Sequence, residues 1–413
     1  MRKTIYLLPV LLGLLFSSCL KDKNTMTYTI MVPVYKDKAE VYANIKSNPA
    51  RGISSPGKIF LYGNYIFLNE VDKGVHVIDN TNPANPVIKT FIDIPGNLDI
   101  AVKDNMLYAD LYSDLVVVDI ADPLNARFVR FLPQVFPHRI YSNGFMSDSS
   151  RIIVDWIRKD TTVPIGSSRR WGFADVYILS NSGAGGQGLS ATGNPTGIAG
   201  SMSRFALVND FLYTVNMSQL RSYNITDRSN PSYTSASNLG WNIETIYPFR
   251  NKLFVGSATG MFIFSLGNPA SPVQEGTFSH VRSCDPVIAN DTHAFVTLRN
   301  GTVCSGTSNQ LDVLNVTNIS SPQLIRTYPL TNPHGLSKDN NQLFICDGAG
   351  GLKLFDATDP GNLVLKKTIE GIETYDAIAW NNNLLVVAKD GLYQFDYSTP
   401  FTLVQKSKLG ITK

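Results

Sequence analysis

The sequence predicts an all-β protein, a β-propeller of four-stranded blades. The first observation is a repeated segment, an apolar strand ending in Asp and followed by a Pro-bearing turn. Val75-His76-Val77-Ile78-Asp79 precedes Asn82-Pro83, Leu115-Val116-Val117-Val118-Asp119 precedes Asp122-Pro123, and Leu352-Lys353-Leu354-Phe355-Asp356 precedes Asp359-Pro360. The second is its period. The strand-ending position falls at Asp79, Asp119, Ser180, Asn224, Ser265, Asn315, Asp356 and Asp396, at intervals of 40, 61, 44, 41, 50, 41 and 40 residues. The third is strand chemistry. The apolar runs are short and rich in Val, Ile, Tyr and Phe, with Gly, Asn, Asp and Pro between them, whereas a helical repeat needs runs of about 10–12 residues. A period of about 40–45 residues with four strands per unit is blade spacing, and a blade must stack on neighbours to bury its faces. Eight units predict eight blades, with seven as the alternative if the third unit, roughly 139–197, is only a decorated loop.

Along the chain, Arg2-Lys3 precede an apolar run from Ile5 to Phe16, which is too short to span a bilayer. Ser17-Ser18-Cys19 then read as a lipobox, so residues 1–18 are expected to be a lipoprotein signal peptide and Cys19 the lipidated residue. The alternative is a plain secretory signal with an incidental cysteine. Several acyl chains on one residue anchor stably, so a membrane is an expected partner. Residues 19–27 form a short tether. Residues 28–51 lie outside the repeat, with a strand over 28–35 and a short helix within 36–46 expected to pack on the ring or protect an open edge. The propeller itself is expected over 52–413.

In the second unit the strands read as 99–103, 106–111, 115–120 and 126–132, with Asp104-Asn105, Ser113-Asp114 and Asp122-Pro123 as turns. The last unit repeats this over 376–380, 384–388, 392–397 and 402–408. The two long intervals carry insertions, from Lys159 to Arg170 and from Asn300 to Asn309.

The segments at 75–79 and 115–119 resemble the LVIVD repeat of bacterial and archaeal surface proteins. The resemblance covers most of 52–409, and Ser283-Cys284-Asp285-Pro286-Val287, Asn332-Pro333-His334-Gly335-Leu336 and the stretch 391–398 look like a lipoprotein branch common in Bacteroidetes. It implies a propeller at the outer membrane, facing the periplasm or the cell surface, without implying an activity. The third unit departs from the pattern, since Tyr177-Ile178-Leu179-Ser180 lacks the Asp.

Composition narrows the function. With 36 basic and 33 acidic residues the net charge is +3, too balanced for a nucleic-acid binder. Cys284 and Cys304 are candidates for a disulfide in an oxidising compartment, or two separate buried thiols; Cys346 reads as a core thiol. No zinc spacing, nucleophile elbow, dinucleotide fingerprint or phosphate loop is present, so no cofactor or metal is expected.

One constellation remains. Eight or nine residues before the second-strand pair of each unit stand Asp99, Arg204, Glu244, Asp285, His334 and Asp376, with His138 and Arg139 at the start of the third unit. These side chains are expected at one mouth of the central channel. They can lock neighbouring blades by accepting backbone N–H bonds, bind a ligand, or act as an acid and base pair. A second set, Glu70, Asp110, Arg299, Asp347 and Lys389, is expected to be solvated in hairpin turns. Trp156 and Trp171, with Arg158, Arg169 and Arg170, mark the third-unit insertion as a contact surface or as tryptophans packed beneath their own loop. The leading expectation is a lipid-anchored, non-catalytic module for an envelope protein or polysaccharide. The rival is an envelope glycan hydrolase or lyase using the carboxylates.

Overall fold

Where short apolar runs alternate with Gly, Asn and Asp, the chain pairs each run with the next in antiparallel sheets. The computed structural model describes residues 25–137, 139, 150–164, 198–240, 243–280, 286–300 and 308–412. They contain seven blades, at 56–93, 100–132, 205–238, 243–279, 287–329, 336–369 and 374–410, each with four strands paired in chain order. From blade 1 to blade 7 the first strands contact one another in succession, and the first strand of blade 1 meets the second strand of blade 7, so the first strands line the axis and the fourth strands lie outermost. Apolar clusters sit between blades. Phe254, Phe295 and Leu343 join blades 4, 5 and 6, and Ile66, Leu68, Ile378 and Leu385 join blade 7 to blade 1. The ring closes there, with a parallel bridge between Ile53 and Ile411 and the Thr412 N–H donating to the Ile53 carbonyl at 2.7 Å.

The blade count is seven, not eight. The third unit lacks the strand-ending Asp in its sequence, and its described part builds no blade. Arg151–Pro164 is one long strand paired with Thr25–Asp37. Ser180, the unit's strand-ending position, lies outside the described residues. The described residues divide into two compact units. In one, the ribbon of 25–34 and 155–164 sets Thr27 against Thr162 and Thr29 against Asp160, the descending pairing of antiparallel strands. The expected N-terminal strand therefore pairs with the insertion and not with a blade edge. In the other unit, which holds the ring, the edge is protected by Ser47–Pro49, paired with Thr90–Ile92 of blade 1. The short helix Lys38–Ala43 stacks Tyr42 on Phe128 and Phe131 of blade 2.

The Asp of the repeat has a local role. In all seven blades the polar side chain ending the third strand accepts the backbone N–H two residues on: Asp79 from Thr81, Asp119 from Ala121, Asn224 from Thr226, Ser265 from Gly267, Asn315 from Thr317, Asp356 from Thr358 and Asp396 from Ser398. This turn stops the strand and starts the Pro-bearing connector. Every fourth strand carries a register shift opposite the same place. The extra residue there is Lys89, Lys366 or Lys406 in three blades, each paired with its blade's terminal Asp. A bulge bearing a charge discourages edge-to-edge pairing.

Glycine opens the third strand because the fourth runs close by. A Cβ on Gly351, at φ +80°, would stand 2.1 Å from the Ile369 carbonyl oxygen. Gly371 has nearly the same φ, +79°, with open space around it. Gly371→Ala is expected to cost about 1 kcal/mol from backbone conformation alone. Gly351→Ala is expected to cost about 3 kcal/mol, because the clash falls on backbone. Urea denaturation of both variants measures the difference.

Candidate functional site

The first strands line the axis, and the same count singles out one residue at or beside the start of each. Lys58 holds this position in blade 1, Asp99 in blade 2, Arg204 in blade 3, Glu244 in blade 4, His334 in blade 6 and Asp376 in blade 7. Asp285 of blade 5 and His138 lie outside the described residues. Lys58 was not among the expected positions, yet it stands eight residues before Ile66 and obeys the same count.

The chain itself fills part of this channel. Ile198–Ala199 pairs with Leu61 and Phe60 on the axial edge of blade 1. The next residues cross to other blades. Ser201 Oγ accepts the Leu336 N–H of blade 6 at 3.1 Å, and the Met202 carbonyl accepts from Lys58 Nζ at 2.7 Å. Ser203 Oγ lies 3.5 Å from both carboxylate oxygens of Asp99. Ser201, Met202 and Ser203 are buried. Residues 198–203 thus plug the axis, and this crossing had no signal in the sequence beyond small residues.

Two of the acids beside the plug are held or sealed by the blades. Asp99 pairs with Lys58 Nζ at 2.8 Å and accepts the backbone N–H groups of Ile100 and Arg204. Asp376 is fully buried. Its Oδ1 accepts the Ala377 N–H at 2.6 Å, while Oδ2 has no partner. Burial pushes this carboxyl well above its ordinary range and favours the neutral acid. Burial also raises Glu244 to about 7, against the pull of Arg204, Arg299 and Lys58. His334 moves the other way, to about 3, through burial and then the Arg299 charge. Arg299 Nη1 sits 2.7 Å from His334 Nδ1, a contact that requires a neutral ring.

The second set of charged residues is not solvated as expected. Glu70, Asp110, Arg299 and Asp347 are buried, and only Lys389 is exposed. The reason is geometric: the second strand ends beneath the connector that enters its own blade, and a carboxylate there can take that connector's N–H groups. Glu70 accepts from Ser54 and Ser55, Asp110 from Leu98 and Asp99, and Asp347 from Thr331 and Asn332. Each also has a side-chain partner, His76 for Glu70, Arg139 for Asp110 at 3.1 Å and Lys353 for Asp347. Burial opposes the Glu70 charge, yet the hydrogen bonds from His76, Ser54 and Ser55 hold it near 2. This second set, more than the axial one, carries the repeated backbone lock.

Of the remaining expected residues, Trp156 is half-buried and Arg158 is exposed on the ribbon, with Arg158 Nη2 3.5 Å from Thr29 Oγ1. Arg169, Arg170, Trp171, Cys19, Cys284 and Cys304 lie outside the described residues. Cys346 is a buried free thiol, and burial raises its pKa, which makes it inert. Among the described residues, no three His, Cys, Asp or Glu side chains gather as a metal site, and no helix is long and apolar enough to cross a membrane.

Comparison with known proteins agrees with this architecture. The LVIVD repeat model matches residues 55–93 and 97–129, the first two blades. No curated protein matches by sequence. Among solved structures, a protein from Lactobacillus plantarum superposes with a TM-score of 0.56 at 11% identity, covering 86% of this chain and 97% of its own. The computationally designed Ika8 protein gives 0.52 at 10% identity, covering 90% and 92%. Saccharomyces cerevisiae Sqt1 gives 0.50 at 9% identity, covering 93% and 88%. At these identities the likeness is one of fold, and the chain is a propeller carrying LVIVD repeats.

Proposed function

We propose that this LVIVD-repeat propeller is a non-catalytic binding module of the bacterial envelope, held at the outer membrane by lipid on Cys19 and engaging an envelope protein or polysaccharide. The plugged axis carries this reading. An acid needed for turnover must meet substrate, whereas Asp99 is spent on Lys58 and backbone N–H groups and Asp376 is sealed from solvent. A ring so filled serves as a rigid frame, and recognition falls to surface features outside the axis. The ribbon of 25–34 and 155–164 offers Ile157 at 57% exposure, with Val32 and Arg158 exposed as well. Apolar side chains interleaved with charge on a two-stranded edge suit a protein partner.

Metabolic labelling with a fatty acid tests the anchor. The full-length chain is expected to take up label and fractionate with membranes, and Cys19→Ala to lose both. Unlabelled wild-type protein, or a labelled Cys19→Ala form, overturns the anchor. A crosslinked partner recovered in fixed stoichiometry from the anchored form, and lost in Ile157→Asp, supports the binding role; equal recovery with Ile157→Asp refutes the ribbon as its surface.

A further inference from the structure

The outer edges of the seven blades are not treated alike. An outermost strand offers a row of backbone N–H and C=O groups to any extended chain. The protein covers two of these edges with its own chain. Ser47–Pro49 pairs with the outer strand of blade 1, and Lys46 bridges Arg127 at the edge of blade 2. Blades 4 to 7 carry charge on theirs, at Glu275, Arg326, Lys366 and Lys406. Blade 3 has neither protection. Its outer strand, Ser232–Asn238, contains no charged side chain, and among the described residues no strand lies against its outer side. Thr234 stands at the bulge position that Lys89, Lys366 and Lys406 occupy in other blades.

A groove runs beside this edge. Arg221 and Tyr223 lie two residues apart on the third strand of blade 3, so they share a face, and they pair with Ala236 and Tyr233 of the outer strand. Ser235 points to the opposite face and donates to the Ala270 carbonyl of blade 4 at 2.7 Å. Facing Tyr233 across the groove is the outer strand of blade 2, with Val129, Phe131 and Leu132. Two hollows of about 430 and 610 Å³ meet there at Pro133. Tyr233 is 60% exposed, and Tyr223 supports it edge-on with ring centroids 5.9 Å apart. Of the described residues lining the groove, none is acidic and two are basic. Arg221 is fastened to neutral acceptors, the carbonyls of Gln134 and Val135 at 2.9 Å and Gln219 Oε1 at 3.1 Å. Arg130 is exposed and gives one donor to Asn230. Asp227, next to the rim, gives its Oδ1 to the N–H and hydroxyl of Ser229.

We propose that the outer edge of blade 3 receives an extended segment of a partner protein as a fifth strand, whose apolar and acidic side chains enter the groove. The edge binds through backbone hydrogen bonds, and the groove selects through side chains. Alternate side chains of an added strand face one way. Apolar ones meet Phe131 and Tyr233, and an acid meets the Arg130 fork. Exposed Tyr and Arg beside apolar walls suit a protein partner. A glycan would leave the strand's backbone groups unused. The proposal deepens the binding-module reading and rests on it for a protein partner, but it draws on no residue of the ribbon or the anchor.

Calorimetric titration of the full-length protein in mild detergent tests it. The probe is the acetylated and amidated peptide Leu-Thr-Glu-Thr-Leu-Thr-Glu-Thr. It is expected to saturate, and its counterpart with Lys in place of Glu to bind about tenfold more weakly or not at all. In Arg130→Glu this preference is expected to reverse. Only every other N–H of a strand points at a given neighbour. Of two probes N-methylated on alternate residues, one set each, one is therefore expected to bind and the other to fail. Ile157→Asp is expected to bind the probe as the wild type does. No saturation by the acidic peptide, equal behaviour of the two N-methylated probes, or an unchanged preference in Arg130→Glu overturns the proposal. Loss of binding in Ile157→Asp overturns it too and moves the site to the ribbon. A protein that dimerises in sedimentation and takes the probe only once diluted gives the edge to a second copy, which overturns the partner. Probe binding with the Cys19 label or the crosslinked partner absent leaves this proposal standing and refutes the earlier reading alone.

Discussion

Replacing Asp347 with alanine is expected to destabilise the ring by about 3–5 kcal/mol, the cost of removing one partner from a buried ion pair. The carboxylate is fully buried and accepts the consecutive N–H groups of Thr331 and Asn332 at 2.8–3.0 Å while holding Lys353. Alanine leaves two backbone donors and one ammonium without their acceptor, in a place where water reaches poorly. Asp347→Asn keeps the shape and one acceptor oxygen, so it is expected to lose less. Chemical denaturation with matched m-values measures both. The same substitution at exposed Lys389 is expected to change stability by less than about 0.5 kcal/mol. An Asp347→Ala protein as stable as the wild type would sink the lock described for the second set of charged residues.

Acid is expected to unfold the ring partly through His334. The imidazole titrates near 3 in the folded chain, against about 6.5 when unfolded. A group depressed on folding is neutral in the folded state while the unfolded chain takes up its proton. Its stabilising contribution is complete above about pH 6.5 and falls by about 1.4 kcal/mol per pH unit on acidification towards the folded value. Between about pH 6.5 and pH 4 the loss comes to about 3 kcal/mol. Asp376 and Glu244 act in the opposite sense, because burial raises them. Their contribution is greatest in acid and declines as pH rises past the unfolded carboxylate values. The His334 effect must therefore be read as a difference: His334→Asn is expected to flatten the acid limb of the stability profile relative to the wild type. Parallel limbs for the two proteins would show that His334 is not neutral in the fold.

Much of this architecture was legible because each blade repeats its own instructions. The strand-ending Asp, the Asx turn and the short apolar runs are local, and local physics places them without knowledge of the neighbours. Counting back from the second strand marks Asp99, Glu244, His334 and Asp376 at or beside the starts of their first strands, and the same count would have yielded Lys58. The third unit misled because it was counted from one apolar run, while what makes a blade is four runs with turns between them. The plug was invisible for a related reason. Ile198 to Ser203 gains its place from partners in blades 1, 2 and 6, which lie more than 90 residues away in sequence. Glu70, Asp110 and Asp347 were misjudged as solvated because burial depends on the connector folded over them, and that is a tertiary fact.

The closing bridge at Ile53 and Ile411 bears on the order of assembly. Blade 7 takes all four strands from 374–410, and upstream chain adds no strand to it; the neighbours reach it through single bridges, Gly348 to Thr374 and Ile53 to Ile411, and through isolated hydrogen bonds. Each blade can thus form from contiguous chain soon after it emerges, with little entropy lost to closing loops. Only the meeting of blade 1 with blade 7 waits for the whole sequence. The circle has a seam, and the seam is where a newly made chain finishes folding and where a stressed one begins to open.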